Sequence, residues 1–212
     1  MKIIEIASWK RKSHFEFFKN FDTPKYSLSI NSDITNLYNY AKKNNISFFL
    51  LSLYAILKAA NNIKEFRQRL VNNQVVEFEK LVCSTPIMTK DDLYKSVVID
   101  YYDSFKEFYE MALPIVNAAK SSTPCENGTE RERDDIIIAS CLPWFSFTNL
   151  NSALLSFKSC SIPVITWGKF QESNDRLLVP ISFQLSHLFV DGIHVGHYIK
   201  LLEEYFNNPE SL

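Results

Sequence analysis

A chain of 212 residues is long enough to bury one sizeable core, and 46% hydrophobic with 14% aromatic residues indicates a globular protein. Its 23 basic and 24 acidic side chains nearly cancel, which argues against a nucleic-acid partner or an anionic membrane surface. We therefore expect a single domain, residues 1–212, with neither kind of partner.

The cysteines and the amino terminus indicate a cytoplasmic protein. The cysteines, Cys83, Cys125, Cys141 and Cys160, form no C-x-x-C pair, so reduced thiols are the simplest prediction. Met1–Ile6 alternates charged and apolar residues, unlike a signal peptide. The most apolar window, 46–60, is shorter than the ~20 residues that a membrane span needs.

Two helices are predicted in the first third of the chain. Ser32 offers an N-cap for the first, which ends at Asn44-Asn45. Ser47 can cap the second, Phe48–Asn61, whose apolar residues on nearly every side indicate packing against a sheet. In the first 30 residues the sequence indicates only a turn, at Thr23-Pro24.

The middle of the chain is predicted to be rich in strands. β-Branched or alternating patterns occur at Val75–Phe78, Leu81–Cys83 and Ser96–Tyr101. A third helix, Ser104–Lys120, is expected to be bent or interrupted at Pro114. The polar run 121–135 ends in six charged residues and is interpreted as a solvated loop or helix end.

The last third predicts three strands and a helix. The strands are Ile136–Ser140, Val164–Phe170 and Arg176–Leu185, with a hairpin turn at Glu172–Asp175. The helix, Ile193–Asn207, carries apolar residues at helical spacing. Strands and helices interleaved in this way predict an α/β fold, a two-layer sandwich with a mixed β-sheet covered by helices.

A histidine motif lies between the last strand and the last helix. His187, three apolar residues and Asp191-Gly192 form the pattern H-x-x-x-D-G. Because histidine has an unperturbed pKa near neutrality, His187 is a candidate general base. The alternative is a hydrogen-bonded core histidine.

Two further interpretations involve the neighbours of His187. A metal could bind His187, Asp191 and His194, but Gly192 and the preceding strand argue against the helix that would group them, so no metal is predicted. Asp191 could also cap the last helix, which is compatible with a catalytic His187.

The H-x-x-x-D-G motif and three further segments resemble the chloramphenicol acetyltransferase family of coenzyme A-dependent acyltransferases, and they occur in the family's order. The three segments are Trp9–Phe18, the S-x-x-P-W stretch Ser140–Trp144 and the later strand Thr166–Phe170. The resemblance implies the family fold and a homotrimer with active sites at the subunit interfaces. It also implies that the donor and the acceptor enter a tunnel from opposite ends.

The same resemblance assigns roles to residues of the site. His187 is the base, Ser140 the donor to the oxyanion, and Thr166 the holder of a nearby water. The alternatives are that Ser140 bonds backbone and that Thr166 is an ordinary strand residue. Asp191 and Arg11 are implied to form a structural ion pair.

Contacts to the substrates are implied as well. Lys169 and Phe170 stand where the family contacts coenzyme A. Phe18, Tyr26 and Ser152 stand in the acceptor pocket, where Phe18 replaces a common tyrosine, and Tyr26 and Ser152 are more polar than is usual.

The sequence therefore predicts a chloramphenicol O-acetyltransferase-like enzyme that uses acetyl-CoA as co-substrate and holds no permanent cofactor. Ser186 departs from the family, which usually has a second histidine there, so the surroundings of His187 differ. Because the acceptor pocket matches the family less well, another alcohol or thiol acceptor is an alternative. A core of a 2-oxo acid dehydrogenase complex and a trimer that binds the drug without turnover are further alternatives.

Overall fold

The computed structural model describes residues 1–123, 133–153 and 161–212. Within them the strands are β1 (Lys2–Ile3), β2 (Lys25–Asp33), β3 (Gln68–Val71), β4 (Gln74–Glu77), β5 (Val82–Met88), β6 (Tyr94–Ile99), β7 (Ile136–Leu142), β8 (Val164–Gly168), β9 (Gln171–Ser173) and β10 (Arg176–Ser186). The α-helices are α1 (Lys12–Phe18), α2 (Thr35–Lys43), α3 (Phe48–Asn62), α4 (Phe105–Ser121) and α5 (Gly192–Asn207).

The main sheet is mixed and has the order β2-β10-β8-β7-β5-β6, with β9 paired to β10. β5, β7 and β8 run parallel to one another, whereas β10 is antiparallel to both of its neighbours. A separate small sheet has the order β1-β4-β3. These findings confirm the predicted α/β class with a mixed sheet.

The helices cover one face of the main sheet. The ring of Phe183 on β10 meets Tyr198 of α5, and Trp167 on β8 stacks against Phe49 of α3. Neighbours along a strand point to opposite faces, so Ser182 and Thr166 lie on the other face. The prediction that Ser47 caps α3 is confirmed, because its hydroxyl accepts from the Leu50 N–H at 3.3 Å.

The strand β2 was not predicted, and the assignment of Ser32 as a helix cap was wrong. Ser32 lies within β2, which pairs with β10 over nine residues of each strand. The helix α2 begins instead at Thr35, whose N–H donates to the Asp33 carboxylate at 3.0 Å. Tertiary pairing with β10 thus determines this segment, although the apolar alternation at Leu28 and Ile30 was a readable signal.

Other boundaries differ by smaller amounts. α4 continues through Pro114 without interruption, contrary to one predicted outcome. β8 ends at Gly168, two residues before the predicted end, and a separate short strand, β9, begins at Gln171. The predicted hairpin turn is confirmed, with Asn174 and Asp175 at positive φ values of 50° and 61°.

Part of the predicted polar loop and two of the cysteines, Cys125 and Cys160, lie outside the described residues. Cys83 is buried and Cys141 half-buried, and both are free thiols. In the three described segments no helix is both long and apolar enough to cross a bilayer.

Arg69 on β3 is fully buried, with 1% of its surface exposed. Its guanidinium donates to the carbonyls of Phe66, Gln68 and Ile136 at 2.6, 2.8 and 2.7 Å. Burial lowers the pKa of this group to about 9, which still leaves it charged at neutral pH. Arg69 therefore connects β3 to the start of β7 through hydrogen bonds to backbone carbonyls.

Replacing Arg69 by methionine is expected to lower the free energy of unfolding by about 3 kcal/mol, because buried carbonyls lose their donor. Urea unfolding at fixed protein concentration measures the change. Arg176→Met is the control: its side chain is 65% exposed, and we expect a change within about 0.5 kcal/mol. Equal unfolding midpoints for the two variants would contradict this role of Arg69.

Candidate active site

An arginine clamp anchors the loop that follows β10. Arg11, just before α1, donates to both carboxylate oxygens of Asp191, to Oδ2 through Nη1 and to Oδ1 through Nη2 at 2.6 Å. It also donates to the carbonyls of His187 and Leu188, at 2.8 and 2.9 Å. Arg11 thus forms the predicted pair with Asp191 and also hydrogen-bonds directly to the backbone of the loop that carries His187.

The Arg11 guanidinium keeps Asp191 ionised. Its hydrogen bonds hold the pKa of the Asp191 carboxyl below the ordinary value. Because an unfolded aspartate titrates near pKa ~3.9, the pair stabilises the fold above that pH, and this stabilisation is lost as the pH falls through the lower folded value.

The contact with Asp191 sets the tautomer of His187. The Nδ1 atom of His187 lies 3.2 Å from Oδ1 of Asp191. An ionised carboxylate can only accept, so in the neutral imidazole Nδ1 carries the proton and Nε2 keeps its lone pair. The His187 side chain is 35% exposed, which excludes the interpretation of a buried core histidine. A partly exposed imidazole with its lone pair on Nε2 is suited to act as a general base.

Two of the predicted acceptor-pocket residues contact the His187 ring. The ring of Phe18 stacks on it at 4.2 Å and 5°, and the ring of Tyr26 lies at 4.5 Å and 38°. Burial and the nearby Asp191 charge raise the pKa of Tyr26 to about 12, so Tyr26 remains a phenol. Its hydroxyl donates to the Val190 carbonyl at 3.4 Å.

Ser140 and Thr166 lie together on the face of the sheet that the helices leave uncovered. Ser140 of β7 is the register partner of Thr166 on β8, and Thr166 is the partner of Ser182 on β10. The next strand continues the row with Ser29, the partner of Ser182. Four hydroxyls thus cross four strands in one line.

This row is far from His187 of the same chain. Ser182 precedes His187 by five residues, and two strand spacings separate Ser182 from Ser140. At about 3.3 Å per residue and about 4.8 Å per strand, Ser140 and His187 lie roughly 19 Å apart. One chain therefore does not bring the predicted base and the predicted oxyanion donor to the same reacting atom.

Lys169 and Phe170 lie at the opposite end of the sheet from His187, directly after β8. The Lys169 N–H donates to the Phe145 carbonyl at 2.9 Å. The Phe170 ring meets Tyr38 at 5.2 Å and Phe48 at 6.4 Å. Sequence reasoning missed this role of Tyr38, which lies within α2, and of Phe48, the first residue of α3.

Ser152 and Ser186 lie on the same face of the sheet as the row of hydroxyls. The carbonyl of Ser152 accepts from the Gln184 side chain at 3.4 Å, on the face of the sheet opposite Tyr26. The structure thus separates Ser152 from Phe18 and Tyr26 within one chain. Ser186 is buried, and its hydroxyl has no hydrogen-bond partner among the described residues.

His194 meets Asp191 in a different way from His187. The Nδ1 atom of His194 accepts from the backbone N–H of Asp191 at 2.9 Å, at the N-cap of α5. The two imidazoles thus use different groups of Asp191, and in the described part of the chain no three potential ligands form a group for a metal ion.

A cavity of about 710 Å³ lies next to the clamp. Arg11, Asp191 and His194 line it together with His14 and Glu65, but His187 does not. Sequence reasoning missed Glu65, because nothing in its spacing connects residue 65 with residue 194.

The fold is similar to that of solved acyltransferases. A structure described as a chloramphenicol acetyltransferase has a TM-score of 0.89 and 30% identity, covering 97% of this chain and 99% of that chain. A dihydrolipoamide acetyltransferase from Azotobacter vinelandii has a TM-score of 0.68 at 16% identity, over 94% and 87% of the two chains, a likeness of fold alone. Fold and histidine motif together define an acyltransferase.

The family follows from the sequence comparisons. The family model described as chloramphenicol acetyltransferase matches residues 1–203. Relatives of that name from Clostridium butyricum and Bacillus pumilus are 31% and 28% identical, over 95% and 92% of this chain and 93% and 89% of theirs. The chain belongs to the chloramphenicol acetyltransferase family, which confirms the resemblance inferred from its motifs.

Proposed function

We propose that the protein transfers the acetyl group of acetyl-CoA to a hydroxyl of chloramphenicol, with His187 as general base. The observation that carries the proposal is the contact of His187 Nδ1 with Asp191 Oδ1 at 3.2 Å, from which we infer that Asp191 accepts from Nδ1 and that Nε2 is the basic atom. The arginine clamp on the loop and on Asp191 keeps this arrangement in place.

The reaction needs no acyl-enzyme. Nε2 of His187 takes the proton of the acceptor hydroxyl as its oxygen attacks the thioester carbonyl. The Ser140 hydroxyl donates to the oxyanion of the tetrahedral intermediate, and Thr166 holds a water beside it. The intermediate then expels the coenzyme A thiolate, which receives the proton from the imidazolium.

The site is proposed to form between two copies in a homotrimer. The separation of roughly 19 Å supports this, because His187 of one copy then acts with Ser140 and Thr166 of the next. Exposed aromatic side chains also support it: Phe17, whose ring contacts Phe18, is 60% exposed, and Trp144 after β7 is 59% exposed. Such surface is suited to burial against a neighbouring subunit.

Coenzyme A is proposed to bind at the other end of the sheet, near Lys169 and Phe170. A cleft of about 240 Å³ there is lined by Tyr38, Lys42 and Phe48. An adenine ring can stack on this aromatic group, and the ammonium groups of Lys42 and Lys169 can pair with phosphates. Acetyl-CoA is a co-substrate in this scheme, used in the cytoplasm.

An acceptor panel tests the proposal. Purified protein is incubated with acetyl-CoA and chloramphenicol, other alcohols or thiols, and free coenzyme A is measured with a thiol reagent. We expect thiol release that depends on chloramphenicol. Release with another acceptor alone would assign a different substrate, and chloramphenicol binding by calorimetry without thiol release would contradict the enzymatic proposal.

A further inference from the structure

The start of helix α5 has an unusual reciprocal cap. Asp191 is the N-cap, with φ −111° and ψ 170°, and its backbone N–H donates to His194 Nδ1 at 2.9 Å. The third helical residue of such a cap is ordinarily glutamate or glutamine, whose side chain reaches back to the same N–H. In this chain an imidazole has that role.

The hydrogen bond also sets the tautomer of His194. Since the Asp191 N–H donates to Nδ1, that atom carries no proton, and the ring proton is on Nε2. Nε2 lies 3.8 Å from Oε1 of Glu65, in the 3-10 turn that follows α3. The two side chains are sheltered, with exposures of 19% for His194 and 27% for Glu65. His194 thus lies between the end of α3 and the loop that carries His187.

Asp191 is therefore held from two sides. Arg11 holds its carboxylate, and His194 holds its backbone. Because Oδ1 of Asp191 is also the acceptor for His187 Nδ1, a shift of the residue 191 backbone changes the orientation of the His187 ring. The exposed Gly192 that follows adds no side chain to restrain the loop.

We propose that His194, backed by Glu65, is a positioning residue: it fixes Asp191 and thereby the orientation of the His187 imidazole. It touches neither the substrate nor the reacting atoms. The inference rests on the proposed function, in which that imidazole is the base, and it adds a second restraint to the arginine clamp.

Kinetics of substituted enzymes test the proposal. His194→Ala is expected to lower kcat about 10- to 100-fold with little change in either KM, since a displaced base slows the chemical step and leaves binding intact. His194→Gln is expected to recover kcat to within a few-fold, because glutamine supplies the usual acceptor for the Asp191 N–H. His197→Ala, an exposed histidine on the same helix, is the matched control and should equal the wild type.

Nitrogen NMR of the imidazoles gives a test that does not depend on turnover. In the wild type we expect His194 to carry its proton on Nε2, and His187 to show a hydrogen-bonded Nδ1–H that is lost in His194→Ala and kept in His194→Gln. If the protein shows these signals but transfers no acetyl group, the proposed function is refuted and the positioning role of His194 is not. A wild-type His194 protonated on Nδ1, or a wild-type kcat in a folded His194→Ala variant, would overturn the positioning role.

Discussion

Replacement of His187 by alanine is expected to reduce chloramphenicol-dependent thiol release by about 100- to 10,000-fold, the range of a lost general base. The loss should fall on kcat, because neither Phe18 nor Tyr26, whose rings contact His187, can replace it as a base. Both KM values should change much less, and thermal unfolding should change little, since the ring is partly exposed. Steady-state kinetics with varied acetyl-CoA and acceptor measures each term.

His14→Ala is the matched control for this prediction. His14 is an exposed histidine on α1, and its ring contacts Ser13 at 3.4 Å. Its removal should leave kcat within a few-fold of the wild type. If His187→Ala retained wild-type turnover, another group would be the base, and the contact of Asp191 with His187 would have no role in catalysis.

Replacement of Ser140 by alanine is expected to lower kcat about 100- to 1000-fold, as does the loss of one donor to an oxyanion. The serine is half-buried in β7, and alanine removes only its hydroxyl. Ser96→Ala on β6 is the control, because register places Ser96 on the same face of the sheet but on its edge strand. It should keep wild-type turnover.

Mixing the two inactive variants tests where the site forms. If His187 of one copy acts with Ser140 of the next, each mixed trimer of His187→Ala and Ser140→Ala chains contains one intact site. Random assembly at equal amounts makes three trimers in four mixed, so about one quarter of wild-type turnover should return. Turnover no higher than that of the separate variants, in trimers proven mixed by two affinity tags, would mean that each chain forms its own site.

The histidine motif and the fold class were readable from the chain itself. His187 and Asp191 are close in sequence, so local geometry brings them together, and Ser47 caps α3 through a local hydrogen bond. Patterns of this kind depend on spacing over a few residues, which the sequence displays directly. The pairing of Arg11 with Asp191 came from resemblance, because no local rule connects residues 180 positions apart.

Only the tertiary structure decided the placements that depend on long-range pairing. β2 exists as a strand because β10 pairs with it, and that pairing put Ser32 into the sheet instead of at a helix cap. Strand order likewise aligned Ser140 with Thr166 and set both far from His187, and packing after α3 brought Glu65 to His194. Register and packing arise from contacts between segments distant along the chain. The sequence of one segment does not identify the segment that will pair with it.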